Sequence, residues 1–465
     1  MRGSMRSYLQ KRMGISTDVR KIKEKQAFAL LFPHHALTLH RISANMIPFS
    51  ARYSNMAKRI YLYILCMIVP LLAMAQGRGN NVQSVASVAQ TEQTVQTKDS
   101  VIVSLITCSP GSLVYELYGH TALRVREVGQ RQSDWVFNYG TFSFSQPHFM
   151  WRFMLGETDY ELGVVPYALF YDAYVREGRG IDEQVLNLTQ TEANRLVDAL
   201  SRNLEPENAT YRYNFFYDNC TTRALRMIEQ AVDGQVDWPQ VKADRTLRDI
   251  VHEFSNPSPW NKFGQDLLLG AEADSPANLQ QQQFAPIYAE RFATDAKIRG
   301  RDGKVRPLVK THLTLLPAQA NVEDTFPITP MAAFGILLAI TLGISAWGWH
   351  KRKLCWQFDV LLLMAQGLTG CITTFLLLFS SHPAVGSNWL VVLLNPLPLV
   401  LFPWYMKAAS NGRRSGVMYV EGVLGVLALV IGLVGLQQYP AEAYLIILTL
   451  LLRVVVHLHL TYKGR

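Results

Sequence analysis

The chain has few charged residues, and its cysteines and histidines lack the spacing of a metal site. Only 17% of its 465 residues are charged and 49% are hydrophobic, a composition too apolar for an intrinsically disordered protein. It contains five cysteines and 11 histidines, but they show none of the spacings typical of a zinc site, and no glycine-rich phosphate loop is present. The sequence therefore predicts no metal and no nucleotide cofactor.

The middle of the chain lacks a net positive charge, although the whole chain carries +9. Counted by segment, residues 1–75 carry +10, residues 76–325 carry −7 and residues 326–465 carry +6. The excess lies in a leader and beside apolar segments, where it suits targeting and membrane flanks. Because the central block is mildly acidic, it disfavours binding to a polyanion, and we expect no nucleic-acid partner.

Residues 56–75 have the pattern of a secretory signal peptide. Two basic residues precede an apolar run, and residues 73–75 (AMA) form a cleavage pattern. Because a signal peptide begins near the start codon, we interpret residues 1–55 as a doubtful extension ahead of a true start at Met46 or Met56. A genuine extension is the alternative.

Two domains are predicted after this leader. Residues 76–98 are polar and low in complexity, which is typical of a linker, and residues 99–325 have the mixed composition of a water-soluble domain. Residues 326–465 are strongly apolar and contain five stretches that approach the length needed to cross a bilayer. These stretches occupy residues 331–349, 358–379, 389–406, 417–436 and 443–460, and two prolines near the middle of the third predict a kink or break there.

The charges of the connecting loops predict the orientation of the five spans. The loops after the first and third spans and the C-terminal tail contain Lys and Arg, whereas residues 380–388 and 437–442 contain neither. By the positive-inside rule, the C-terminus lies in the cytoplasm and the soluble domain outside it. The signal peptide predicts the same side independently.

Ionisable residues also occur inside the spans. Glu421 lies early in the fourth span and Arg453 late in the fifth, both toward the cytoplasmic side, so we expect an ion pair that joins the two helices. His457 lies four residues after Arg453 on the same helix face. Intramembrane charges are functional candidates by default, but we favour structural pairing because the chemistry is expected on the other side.

The soluble domain contains two cysteines, Cys108 and Cys220. A disulfide between them is one interpretation, since the predicted compartment is oxidising. The surroundings of Cys220 favour another, because a strand-like aromatic run over residues 211–217 ends just before it and a helical pattern follows it. At a helix N-terminus, the dipole and free N–H groups lower the pKa of a thiol and can bind an oxyanion.

A nucleophilic cysteine needs a base, and His120 is the candidate. It lies at the start of a strand pattern that is followed by a turn and a return strand over residues 135–139. If the hairpin turns near residue 129, Asn138 lies directly opposite His120. The Asn138 side chain can then accept a hydrogen bond from one ring nitrogen and leave the other facing the thiol.

Four blocks of the sequence resemble the Bacteroides-type lipoprotein N-acyltransferases. They are residues 106–111 (ITCSPG), 118–125 (YGHTALRV), 137–142 (FNYGTF) and 214–223 (NFFYDNCTTR). That family joins a periplasmic domain to a multi-span membrane region, and the resemblance extends from about residue 100 to the C-terminus. It implies an α+β, permuted papain-like fold of the NlpC and lecithin:retinol acyltransferase kind, followed by an all-α membrane domain of about five helices.

The same resemblance implies an acyl transfer at the outer face of the bacterial inner membrane, in the periplasm. Cys220 would be the nucleophile, His120 the base and Asn138 the third member of the site. A phospholipid would donate an acyl chain to Cys220, and the α-amine of a diacylated lipoprotein would accept it from the thioester. No cofactor is needed for this reaction.

Three further residues are predicted to contact the substrate. Tyr118 could donate a hydrogen bond to the oxyanion, with core packing as the alternative. Arg223, one turn into the helix, could bind a lipid phosphate or pair with an acid such as Asp218. Trp151 belongs to an apolar, aromatic stretch that could form the acyl groove, enter the membrane surface or belong to the core.

Two other functions remain open. A membrane-anchored papain-like peptidase acting on peptidoglycan would also use a cysteine and a histidine, although a single span would suffice as its anchor. The second is a non-enzymatic membrane protein with a Cys108–Cys220 disulfide. The number of free thiols separates this last protein from both enzymes.

Overall fold

The computed structural model describes residues 100–128, 133–142, 147–319 and 326–461. The predicted N-terminal extension, signal peptide and linker lie outside the described residues. Within the described part, a mixed α/β domain precedes five long apolar helices. The predicted fold class, an α+β domain followed by a helical membrane domain, is confirmed.

A seven-stranded antiparallel sheet forms the centre of the soluble domain. Its strands are β1 (Val101–Cys108), β2 (His120–Glu127), β3 (Asp134–Thr141), β4 (Asp159–Pro166), β5 (Ile181–Leu186), β6 (Thr210–Arg212) and β10 (Val309–Leu316). Their order across the sheet is β10-β5-β1-β2-β3-β4-β6. A smaller sheet contains β7 (Gly234–Asp237), β8 (Lys297–Gly300) and β9 (Val305–Pro307).

The sequence of β1 explains its central position. Its residues VIVSLITC are largely apolar at successive positions, and the last six of the eight are buried. A strand covered on both faces needs such a run, because side chains alternate between the two faces of a sheet. β1 pairs with β2 on one side and β5 on the other, which places Cys108 directly opposite His120.

The soluble domain contains helices that cover both faces of the sheet, together with helices that pack on other helices. They are α1 (Phe149–Leu155), α2 (Tyr167–Glu177), α3 (Gln190–Asn203), α4 (Pro206–Ala209), α5 (Cys220–Ala231), α6 (Leu247–Ser255), α7 (Pro259–Leu268), α8 (Leu279–Gln282) and α9 (Pro286–Asp295). Phe170 and Tyr174 of α2 pack on Ala122 of β2. Thr221 of α5 contacts Thr121, which points to the opposite face because it precedes Ala122 in the strand.

The membrane domain consists of the five expected apolar helices. They are α10 (Pro330–Lys351), α11 (Trp356–Phe379), α12 (Leu397–Ser410), α13 (Gly416–Val434) and α14 (Ala441–Leu460). The predicted break in the third span is confirmed, since a short 3-10 turn, Trp389–Val392, precedes α12. A Cβ on Gly370 of α11 would lie 2.2 Å from the backbone of Asn395, so only glycine permits this close approach.

The predicted ion pair between Glu421 and Arg453 is wrong. Arg453 Nε donates instead to Asp359 Oδ1 at 2.5 Å, and its Nη1 donates to Ser345 Oγ at 2.9 Å. Glu421 accepts a hydrogen bond from Gln366 Nε2 at 2.8 Å. Because Asp359 lies in the first turn of α11, at the depth where α14 ends, it competes with Glu421 for the same arginine, and helix packing selects the partner.

His457 also has a structural partner. Its Nε2 accepts a hydrogen bond from the backbone N–H of Ser415 at 3.2 Å, just before α13 begins. The ionisable residues of these helices therefore join one span to another, as a polar group buried in a bilayer requires.

The loops that lack Lys and Arg contact the soluble domain. The carbonyl oxygen of Ala384 accepts from Gly270 N at 2.6 Å, and Asn388 Nδ2 donates to the carbonyl of Leu267 at 2.7 Å. Gln437 Nε2 donates to the carbonyl of Leu269 at 3.0 Å. The end of α7 and the segment after it are thus held against the two loops that join the second span to the third and the fourth span to the fifth.

Arg248 holds the segment after α7, which contacts the membrane domain, from inside the soluble domain. Its side chain is fully buried, and its guanidinium donates to Asp266 at 2.8 Å and to Asp274 at 2.5 Å. It also donates to the carbonyl oxygens of Leu269 and Gly270. A buried charge with this many partners is satisfied, so the segment is held in one position against the membrane domain.

Candidate active site

Cys220 is the first residue of α5, and Asn219 is its N-cap. Asn219 Oδ1 accepts hydrogen bonds from Thr221 N and Thr222 N, both at 2.9 Å, while Thr222 Oγ1 accepts from Asn219 N at 2.9 Å. This reciprocal arrangement is a capping box, which stabilises a helix start. It also occupies two of the N–H groups that we expected to be free for an oxyanion.

The loop before Cys220 is closed on itself. Asn214 and Asp218 exchange two backbone hydrogen bonds, of 3.1 and 2.9 Å. Asn219 Nδ2 donates to the carbonyl oxygens of Phe215 and Phe284, at 2.9 and 2.8 Å. The strand-like run predicted over residues 211–217 is wrong after Arg212, where β6 ends, because these turns replace sheet pairing.

His120 and Asn138 meet, although not in the predicted register. His120 Nε2 donates to Asn138 Oδ1 at 3.1 Å, which leaves Nδ1 free to face the thiol. The strands pair Leu123 with Phe137 and Arg126 with Asp134, which is two residues away from the register we expected. A shift of two residues keeps each side chain on its face, so Asn138 reaches His120 as a diagonal neighbour.

The thiol and the imidazole shift each other's pKa. Burial raises the pKa of Cys220, but the charge and hydrogen bond of His120 lower it, helped by Thr121 and Thr221, and the net pKa is below the ordinary value. Burial lowers the pKa of His120, but Cys220 and Asn138 raise it, and the net pKa is above the ordinary value. Both shifts favour a thiolate beside an imidazolium, which is the reactive form of a nucleophilic cysteine.

Two ranges of the chain match known family domains. Residues 88–253 match the Lnb N-terminal periplasmic domain, and residues 321–465 match the Lnb transmembrane domain. The chain belongs to the Lnb family. No curated protein and no solved structure shows a significant match to this chain.

Membership of the Lnb family confirms the resemblance to the lipoprotein N-acyltransferases and places the chain in lipoprotein biosynthesis. The match to a periplasmic domain, together with five apolar helices, identifies an inner-membrane protein with a periplasmic domain. Cys220, His120 and Asn138 all lie within the match to the periplasmic domain.

Cys108 and Cys220 are both free thiols in this Lnb-family structure, which contradicts the disulfide interpretation. They lie on different elements, since Cys108 ends β1 and Cys220 begins α5. Burial raises the pKa of Cys108 to about 12, so this thiol is protonated at neutral pH. Of the two thiols, Cys220 has the surroundings of a nucleophile.

Tyr118 and Arg223 have protein partners. The Tyr118 hydroxyl donates to Gln265 Oε1 at 3.0 Å, and its ring packs against Phe215, which matches the core-packing alternative. The Arg223 guanidinium pairs with Asp218 through bonds of 2.8 and 2.7 Å. The substrate contacts of both residues remain predictions.

Trp151 is located at the junction between the two domains. It lies on α1, is exposed, and its ring centroid is 5.8 Å from that of Phe375 in α11. Its part in substrate binding remains a prediction, but its position excludes the core alternative.

Three side chains are spaced to hold a metal ion. One ligand atom each from Asp182, Glu290 and His312 lie within 4.8 Å of one another. His312 Nε2 lies 2.9 Å from Glu290 Oε1, and Thr314 Oγ1 donates to Asp182 Oδ1 at 2.6 Å. The three lie on β5, α9 and β10, whereas Cys220 and His120 lie on α5 and β2.

Asn219 is the positioning residue that the sequence analysis missed. It is 3% exposed and its amide makes four hydrogen bonds that locate the start of α5. The signal was present, since an asparagine followed three residues later by a hydroxyl residue at a helix start is typical of a capping box.

Proposed function

We propose that this protein transfers an acyl chain from a phospholipid to the α-amine of a diacylglyceryl-cysteine lipoprotein, through a thioester on Cys220. The observation that carries the proposal is the Cys220 thiol at a helix start, with its pKa lowered by His120. Membership of the Lnb family and the five apolar helices support a lipid substrate, because they place this thiol on a membrane-embedded protein.

In the first half-reaction, the Cys220 thiolate attacks the carbonyl carbon of a phospholipid ester. The new C–S bond forms as the C–O bond breaks, and the leaving alkoxide of the lysophospholipid takes the proton from the His120 imidazolium. Asn138 keeps Nε2 of the ring engaged at 3.1 Å, so that Nδ1 is the nitrogen that faces the reaction.

In the second half-reaction, the lipoprotein amine attacks the carbonyl carbon of the thioester. The neutral His120 takes a proton from the amine as the C–N bond forms, and the C–S bond breaks to return the Cys220 thiolate. A thioester suits this step because it reacts with amines more readily than an oxygen ester does.

The proposed orientation leaves the C-terminus in the cytoplasm. It is supported by the basic loops after the first and third spans, and by the contacts of residues 384, 388 and 437 with the periplasmic domain. A reporter fused after residue 465 should be active only in the cytoplasm, and one inserted at residue 320 only outside it. Activity on the opposite side at either position would overturn the orientation.

Purified protein mixed with phospholipid alone should gain the mass of one acyl chain on Cys220, since a ping-pong route needs no acceptor for its first step. Neutral hydroxylamine should remove that mass. A diacylated lipopeptide with a free α-amine should discharge the thioester and become N-acylated, as followed by mass spectrometry.

The matched control is the same lipopeptide with an acetylated N-terminus, which has lost its nucleophile and should leave the thioester intact. Cleavage of cell-wall peptides without any acylation of Cys220 would contradict the proposal and favour the peptidase.

A further inference from the structure

A continuous row of aromatic rings extends from the membrane domain toward Cys220. It runs from His382 through Phe153, Phe149, Phe142 and Tyr160 to Tyr213. Successive ring centroids are 5.8, 6.0, 5.7, 5.2 and 4.3 Å apart. At these separations neighbouring rings are in contact, and within the row Phe149 and Tyr160 are buried whereas Phe153 is exposed.

The row ends beside the thiol, where no side chain intervenes. A Cβ built on Gly140 would lie 3.6 Å from the ring of Tyr213 and 3.7 Å from Cys220 Cβ. Gly140 has φ 88°, a backbone conformation that strains any residue with a side chain. Tyr213 and Cys220 therefore both lie next to the backbone of Gly140.

Exposed apolar side chains flank the row on both sides. On α1, Met150, Trp151 and Phe153 are exposed, with Trp151 at 59%. Across the row, Leu113 and Tyr115 are exposed on the segment that leads to His120, and the Tyr115 ring centroid lies 6.1 Å from that of Phe142. Exposed apolar side chains grouped in this way mark a binding site for an apolar partner.

This surface is continuous with a membrane span. Ser381 Oγ donates to the carbonyl oxygen of Leu155, at the end of α1, at 2.8 Å. His382 Nε2 donates to the carbonyl oxygen of Phe153 at 2.7 Å. Leu378 and Phe379, the last exposed residues of α11, lie just before this contact. The apolar face of α1 is therefore held where the span leaves the bilayer, at the depth of lipid head groups and upper acyl chains.

We propose that α1 and the aromatic row bind one acyl chain of a membrane phospholipid and guide its ester to Cys220. The inference rests on the proposed function and adds to it the route by which the donor leaves the bilayer. A lipid is the occupant that this surface fits, because one end adjoins a span and the other end adjoins the nucleophile.

The test compares two acyl donors, one with long chains that would need this surface and one with short chains that would not. Single-turnover acylation of Cys220 is measured with palmitoyl-oleoyl phosphatidylethanolamine and phosphatidylglycerol vesicles, and with monomeric dihexanoyl phosphatidylcholine. Trp151→Ala should slow acylation from vesicles at least about tenfold, since the contact of the exposed indole ring with the acyl chain is lost. Acylation from the short-chain donor should fall much less, because its chain is too short to use the row.

Two leucines supply a matched pair of variants. Leu113 beside the row is 48% exposed, and Leu313 on β10 is 45% exposed, so serine at either position changes the surface equally. Leu113→Ser should slow acylation from vesicles, and Leu313→Ser should leave both donors unaffected.

The results separate this route from the proposed function. Wild-type acylation with unchanged vesicle rates in Trp151→Ala and Leu113→Ser would overturn the route and leave the function standing. Equal losses with both donors would also overturn it, because the side chains would then act on the thiol or the fold. Failure of the wild-type protein to acylate Cys220 from either donor would overturn the function, and the route with it.

Discussion

Replacing Cys220 by alanine should abolish acyl transfer, with a loss of at least about a thousandfold. The side chain supplies the atom that becomes acylated, and no other group described beside it can form a thioester, since Cys108 is the only other thiol of the described periplasmic residues. Activity is measured as N-acylation of a diacylated lipopeptide by purified protein. Protein level and thermal unfolding in detergent show whether the variant remains folded.

Cys108→Ala is the matched control. Cys108 is buried at the end of β1 and has its pKa raised to about 12, so it supplies neither a thiolate nor an accessible nucleophile. We expect this variant to retain most of its activity. A Cys108→Ala protein as inactive as Cys220→Ala, in a folded state, would contradict the assignment of Cys220 as the sole nucleophile.

His120→Gln should reduce acyl transfer about 10²- to 10⁴-fold, the range over which a general acid–base residue contributes. It should also change the pH dependence of the thiol. Since His120 lowers the pKa of Cys220, its loss raises that pKa and leaves less thiolate at neutral pH. The alkylation rate of Cys220 by iodoacetamide should therefore fall at pH 7, and its rise with pH should move to higher pH.

His312→Gln provides the comparison for this experiment. His312 lies on β10 and pairs with Glu290 of α9, whereas Cys220 and His120 lie on α5 and β2. Its alkylation profile should match that of the wild type. An unchanged profile in His120→Gln would show that the imidazole does not stabilise the thiolate, and a base would have to be sought elsewhere.

Asn219 explains why the thiol lies where His120 can reach it. Its side chain caps α5 and donates to the carbonyl oxygens of Phe215 and Phe284, so the helix start is joined both to its own loop and to the segment before α9. That segment belongs to the apolar cluster that also contains Ala384 of the membrane domain. The position of Cys220 and the docking of the two domains therefore depend on the same packed residues.

Local sequence was sufficient for the features that depend on neighbouring residues. The five spans follow from runs of apolar residues, because a segment that crosses a bilayer must be apolar and long enough. The break in the third span follows from its prolines. The helix start at Cys220 follows from the sequence, because a turn pattern ends there and apolar residues then repeat with the helical period of about 3.6. Even the face shared by His120 and Asn138 was predictable, because strand side chains alternate with a period of two.

Only the tertiary structure decided which distant groups meet. The hairpin register differs by two residues, since residues of equal parity share a face and the sequence pattern cannot distinguish between them. Arg453 pairs with Asp359 rather than Glu421, because the choice between two buried acids depends on the packing of separate helices. The free state of Cys108 and the aromatic row between membrane and nucleophile likewise depend on residues brought together from distant segments, which no local pattern specifies.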